Sequence, residues 1–147
     1  MTTVKQLLDN KGYEVWSIEP SRSVYDAIKL MADKDIGALL VIEKGALVGT
    51  ITERHYSRSG ALKGKTSPQT PVSEIMERPV MPVGLNCTID KCMSLMTEHR
   101  VRHLPVVCDG RPIGVVSIGD LVKSIISEQQ FTIRHLEHYV NGRAAAG

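Results

Sequence analysis

The sequence predicts an α+β protein made of two tandem βαββα units, on three observations. The stretch VRHLPVVCDGRPIGVVSIGDLV, residues 101–122, holds two short apolar runs, 104–107 and 113–116, separated by Asp109-Gly110. Each run has the length and β-branched content of a buried strand, and Asp-Gly tolerates the positive φ of a tight hairpin turn. Ser117 then precedes Asp120 by three positions, and Leu121, Val122, Ile125 and Ile126 follow at helical spacing. That places a hydroxyl and a carboxylate on the first turn of a helix, where unpaired amides and a partial positive charge favour an anion. The third observation is that the pattern occurs twice. A shift of 65 positions carries Gly45 onto Gly110, Gly49 onto Gly114, Leu39 onto Leu104, Val41 onto Val106, Met31 onto Met96 and Thr52 onto Ser117. A fixed offset over that length is the mark of a duplicated structural unit.

The elements follow in chain order. Residues 4–8 and 72–76 open each half as a short helical segment, and their offset of 68 leaves three extra residues after Leu8. Residues 15–18 and 80–83 read as short strands. Ser23 with Asp26 starts a helix in the manner of a capping box, and Val24, Ala27, Ile28 and Met31 lie on one face of it until Gly37 ends it. Its counterpart begins at Thr88 and carries Ile89, Cys92, Met93 and Met96. The first hairpin joins residues 39–42 and 48–51 through Lys44-Gly45, and second helices start near Glu53 and Ile118. Residues 124–140 continue as a helix with Ile125, Ile126, Ile133, Leu136 and Val140 on a broad apolar side, and residues 141–147 fray. The stretch GALKGKTSPQT, residues 60–70, has the composition of an exposed connector. The chain therefore divides into a first repeat with its leading helix (1–66), a second repeat (67–126) and a C-terminal helix and tail (127–147). A unit of about 60 residues seldom closes its own core, so the halves are expected to pack on each other.

Composition narrows the function. A chain of 147 residues, 42% of them hydrophobic, buries an ordinary core. No apolar run approaches the roughly 18 residues of a membrane span. The N-terminus MTTVKQLLDN lacks the basic and apolar regions of a signal peptide, so the expectation is a cytoplasmic protein with no membrane contact. Cys87, Cys92 and Cys108 are irregularly placed, which argues against a disulfide framework and for a reducing compartment. The 18 basic and 16 acidic residues are well mixed, and one Trp and one Phe leave little to stack bases on, so nucleic acid is not an expected partner. No nucleophile elbow, HExxH or motif-supported acid pair is present, so no enzyme is expected. SGALKGKT, residues 59–66, approaches a phosphate-binding loop, but Ser59 replaces its first glycine and a helix precedes it. Cys87, Cys92, His99 and His103 lack CxxC spacing and Cys92 falls on a core-facing helix position, so no metal site is expected.

Two βαββα units, each ending in G-h-h-[ST]-x-x-[DN] after a glycine hairpin, resemble the cystathionine β-synthase (CBS) domain pair, the pseudo-two-fold Bateman module. Here the motif reads Gly114-Val115-Val116-Ser117-Ile118-Gly119-Asp120 and Gly49-Thr50-Ile51-Thr52-Glu53-Arg54-His55, and RHLPV at 102–106 adds to it. The resemblance spans residues 1–130 and implies a small stand-alone bacterial regulatory protein, with no enzyme or transporter attached. It further implies an adenosine-containing ligand (AMP, ADP, ATP, NAD or S-adenosylmethionine) between the repeats, a flat homodimer, and an unidentified regulated protein as partner. Carried over by position, Ser117 meets a phosphate, Asp120 the ribose hydroxyls, Arg102 and His103 the phosphate oxygens, while Val15 and Trp16 wall the adenine. In the pseudo-symmetric cleft Thr52 is retained, but His55 stands for Asp120, and Gly37 and Ala38 stand for Arg102 and His103. An imidazole cannot accept from both ribose hydroxyls as a carboxylate does. Arg54 and Arg58 remain on the phosphate side there, and Val80 and Met81 form the wall, so one good site and one weaker site are expected. Two blander readings stand beside this. Ser117 and Asp120 alone also make a capping box, and a module acting only by surface contact, with Cys108 as a redox handle, would use neither cleft.

Overall fold

The computed structural model describes residues 1–61 and 68–146, the side chains of 59–61 and 142–146 excepted. Most of the loop-like stretch 59–66, most of the connector 60–70 and the side chains of the C-terminal tail from residue 142 on thus lie outside the described residues. Helix α1 (Val4–Lys11) opens the chain. Strand β1 (Ser17–Ile18), helix α2 (Val24–Lys34), strands β2 (Ala38–Glu43) and β3 (Ala46–Thr52) and the short α3 (Glu53–His55) complete the first repeat, with π-helical turns over Tyr56–Ala61. A 3-10 turn at Val72–Glu74 heads the second repeat, followed by α4 (Ile89–His99), β4 (His103–Cys108), β5 (Arg111–Ser117) and α5 (Ile118–Ala146). The α+β class and the duplication are as the sequence predicts.

Both hairpins close on two residues of positive φ, Lys44 and Gly45 at 52° and 81°, Asp109 and Gly110 at 51° and 76°. These are the mirror-image turns that follow the twist of paired strands. Each hairpin also carries a bulge at the same place, between Val41 and Ile42 and between Val106 and Val107.

Several elements differ from the sequence reading for identifiable reasons. Helix α2 stops at Asp35 rather than Gly37, because Asp35 takes the left-handed conformation at φ 54°, as Arg100 does after α4 at φ 56°. Ser23 Oγ accepts from the Asp26 amide at 3.0 Å, but the Asp26 carboxylate accepts from Arg22 Nε at 3.1 Å, so only half of that capping box forms. The strand expected at 15–18 narrows to Ser17–Ile18, parallel to β2, and the one expected at 80–83 narrows to a single bridge from Val83 to Val106. Proline explains the second case. In the first repeat the Leu40 amide donates to the Trp16 carbonyl at 3.1 Å; its counterpart Pro105 has no N–H, and Pro82 stands where Ser17 does.

The two cores are exchanged. Val4, Leu7 and Leu8 of α1 pack with Val83, Ile89, Cys92, Met96, Leu104, Val106, Val116 and Leu121 of the second repeat. Val72 and Ile75 pack with Val24, Ala27, Met31, Leu39, Val41 and Ile51 of the first. Each leading segment therefore covers the core of the other repeat. Backbone bonds hold the exchange in matching places: Val4 N to the Cys87 carbonyl and Val72 N to the Arg22 carbonyl, both at 2.8 Å. Thr3 bridges Thr88, and Pro71 bridges Ser23.

Candidate functional site

A cleft of about 330 Å³ opens between the halves, and the end of β3, the start of α3, residues 77–81 and the turn before β4 supply its walls. All six residues assigned to the weaker pseudo-symmetric site line it: Thr52, Arg54, His55, Arg58, Val80 and Met81. Arg102 and His103, expected in the other site, line it as well. Four arginines, Arg54, Arg58, Arg100 and Arg102, thus line the cleft. Their mutual repulsion is felt at Arg54, which Arg58 and then Arg102 push below its ordinary value. Crowding of like charge with few acids to balance it favours an anionic guest. Val80, Met81, Pro79 and Val101 give the cleft an apolar side.

Glu77 changes the chemistry expected of His55. His55 Nδ1 lies 3.0 Å from Glu77 Oε1, so the imidazole is a donor on that edge and the carboxylate is brought into the cleft. The acid that the motif lacks at position 55 is supplied from the leading segment of the other repeat. Glu77 is fixed there by paired backbone bonds with Thr50, at 3.1 and 2.7 Å. Thr52 Oγ1 accepts from the His55 amide at 3.0 Å, which leaves its hydroxyl proton free to donate.

Of the six residues expected to form the stronger site, four lie together at the start of α5, while Val15 and Trp16 line neither cleft. His103 pairs with Ser117 across the hairpin, and the Arg102 carbonyl accepts from the Ile118 amide at 2.9 Å. Ser117 and Asp120 make the reciprocal cap: Asp120 N donates to Ser117 Oγ at 3.1 Å and Ser117 N to Asp120 Oδ2 at 2.9 Å. Lys11, at the end of α1, then donates to Asp120 Oδ2 at 2.6 Å and to the Val115 carbonyl at 2.7 Å. Burial pushes the Asp120 carboxyl up, but the Lys11 ammonium and the Ser117 amide outweigh it and leave it below the usual carboxylate range. Asp120 borders a separate, open groove of about 860 Å³ between α1 and α5, together with Lys11, Lys123 and Phe131, and without Ser117, Arg102, His103, Val15 or Trp16. Trp16 packs against the first core, with Lys34 Nζ 4.5 Å from its ring centroid, and neither Trp16 nor Val15 lines the cleft that Arg102 lines.

The two places are related by charge inversion. His55 and Asp120 occupy the same motif position, and each meets an opposite-type partner from the exchanged segment, Glu77 in one half and Lys11 in the other. His103 stands between them. Its ring reaches Gly37 across the pseudo-dyad, 3.9 Å from where a Cβ would be. Burial, then Lys11, holds the imidazole below its ordinary value. Lys11, Glu77 and Arg100 are the site residues that the motif did not reveal. Lys11 is 109 positions from Asp120, and only the exchange of leading segments brings them together.

The chain matches the CBS domain twice, over residues 4–59 and 72–127. It is 36% identical to the CBS domain-containing protein CBSX3, mitochondrial, of Arabidopsis thaliana, an alignment covering 96% of this chain and 73% of that one. Among solved structures, the CBS-domain protein NE2398 superposes with a TM-score of 0.82 at 53% identity, covering 85% of this chain and 98% of that one. A CBS-domain protein from Burkholderia ambifaria MC40-6, whose name assigns it to signal transduction, superposes at 0.83 with 50% identity, covering 90% and 99%. With both repeats matched and both exchanged cores in place, the chain belongs to the CBS-domain family, as a tandem pair.

Proposed function

We propose that the cleft lined by Thr52, His55, Glu77 and the four arginines binds an adenosine-containing ligand, AMP, ADP, ATP or NAD, and that its occupancy alters affinity for a regulated protein. CBS pairs are generally regulatory modules rather than enzymes, which supports a regulatory reading of this chain. The observation that carries the ligand reading is the mixture of groups around one cleft of about 330 Å³, at the lower end of the roughly 300–1,000 Å³ of small-molecule sites. Guanidinium groups suit phosphate oxygens, which they grip in bidentate fashion. The Glu77 carboxylate accepts from vicinal ribose hydroxyls, the Thr52 hydroxyl donates to a phosphate, and Val80 and Met81 wall a purine. In this reading the Ser117–Asp120 pair is a helix cap held by Lys11, and the chain has one working nucleotide cleft.

The working unit we envisage is a cytoplasmic homodimer. Three free cysteines suit a reducing compartment, and among the described residues no helix is long and apolar enough to cross a membrane. A ligand at the seam between halves shifts their relative arrangement only by its differential affinity for the two arrangements. Titration calorimetry with AMP, ADP, ATP and NAD tests the reading. The expected result is one site per chain for at least one of them, weakened tenfold or more by Arg102→Ala and by Glu77→Gln. If none of the four binds or raises the melting temperature, the nucleotide reading fails, because a ligand held only by the folded state must stabilise it.

A further inference from the structure

Helix α5 is 29 residues long. Leu121 is buried in the second core, and Ile118 and Ile125 pack against it, yet every residue from Ile126 to Asn141 is exposed. Along the uncovered side run Val122, Ile126, Gln129, Ile133, Leu136 and Val140. Their alternating spacing of four and three is that of heptad a and d positions, with β-branched residues at each a position, Ile126, Ile133 and Val140. The five apolar members are 44–61% exposed. A helix end of this kind draws its stability from whatever covers the seam, and a contiguous apolar strip in water marks a contact surface.

We propose that this seam packs antiparallel against the same seam of a second copy of the chain, as a two-stranded coiled coil. The inference goes beyond the nucleotide reading and does not depend on it. Self-complementarity identifies the partner. With two α5 helices antiparallel and centred on Phe131, Val122 faces Val140 of the second copy, Ile126 faces Leu136, and Gln129 faces Ile133. The two Gln129 side chains then fall in adjacent central layers, where one amide can bond the other. The same register sets Lys123 opposite Glu137 at the flanking e positions, twice by symmetry, with no like charges opposed. A parallel pairing puts Lys123 beside Ile118 and Glu137 beside Thr132, and leaves both charges without a partner.

Sedimentation velocity on the full chain, wild type against Ile133→Asp, reads the contact. Ile133 is 54% exposed in the protomer, so the variant is expected to keep its melting temperature while self-association weakens at least tenfold. Mild oxidation in a Cys108→Ser background reads the orientation. Gln129→Cys combined with Ile133→Cys is expected to give a covalent dimer, and neither substitution alone is. A wild type that stays monomeric at tens of micromolar, an unchanged association constant in Ile133→Asp, or cross-linking by the single variants overturns the proposal.

Discussion

Lys11 closes two acceptors at once, the Asp120 carboxylate and the Val115 carbonyl, and so ties the exchanged helix α1 to the start of α5. The two side chains are 40% and 18% exposed, so solvent screens the attraction, and the pair is worth about 1 kcal/mol rather than the several of a dry ion pair. Lys11→Met is expected to cost about that much. Asp120→Asn in the Lys11→Met background should then cost less than it does alone, a coupling that denaturant unfolding of the double-mutant cycle measures. His103 gives a pH prediction at the same scale. Burial first, then Lys11 and Arg102, depress its imidazole, with Asp120 pulling the other way. A base depressed in the folded state binds fewer protons there than in the unfolded chain. Its contribution is therefore whole above the unfolded value of about 6.5 and is lost as pH falls through the lower folded value. Thermal melts in steps from about pH 7.5 to pH 5 should show the melting temperature falling, and His103→Gln should flatten that limb. An equal slope in the variant would assign the pH dependence to other groups.

At the scale of elements, the leading glycine of each motif has a steric explanation. A Cβ on Gly114 would meet Leu8 Cδ1 at 3.0 Å, and one on Gly49 would meet Met76 Sδ at 2.7 Å and the Glu77 carbonyl at 3.1 Å. The bare backbone of each strand is what lets the exchanged segment lie against it. Gly49→Ala is expected to cost about 1–3 kcal/mol by overpacking, and more than Gly114→Ala, because a backbone carbonyl cannot swing aside as a leucine tip can. Chemical denaturation of both variants ranks them, and equal costs would show that the Met76 segment yields as easily as Leu8. This also marks what the sequence could and could not reveal. The hairpins were legible because Asp109-Gly110 has a local conformational reason, and the duplication was legible because it is a pattern in the residues themselves. The reduction of the strand at 80–83 follows from Pro82 and Pro105 only once their pairing is known. The capping box at Ser117 and Asp120 was legible as chemistry, but whether the carboxylate was free depended on Lys11, a residue with no local signal. Glu77 escaped for the same reason, since its place beside His55 is a product of tertiary exchange.

For the whole molecule the exchange decides how stability is distributed. Neither half holds a complete core: the second lacks Val4, Leu7 and Leu8 without α1, and the first lacks Val72 and Ile75 without the start of the second. Leu8 is fully buried against Gly114, so Leu8→Ala leaves a cavity worth about 2–5 kcal/mol. Although Leu8 lies at the N-terminus, the loss belongs to the far repeat. Hydrogen exchange on the variant is expected to show the amides of β4 and β5 losing protection before those of β2 and β3, because the cavity opens onto Leu104, Val106 and Val116. Ile75→Ala should give the reverse order, with β2 and β3 exposed first. The pair of experiments separates two descriptions of the molecule. If each variant weakens the half nearest in sequence, the repeats are independent beads. If each weakens the opposite half, they are interlocked, and a guest in the cleft between them acts on both cores at once. Interlocking is what would make such a cleft a regulatory position, since Glu77 and Arg102 reach it from segments anchored in opposite cores.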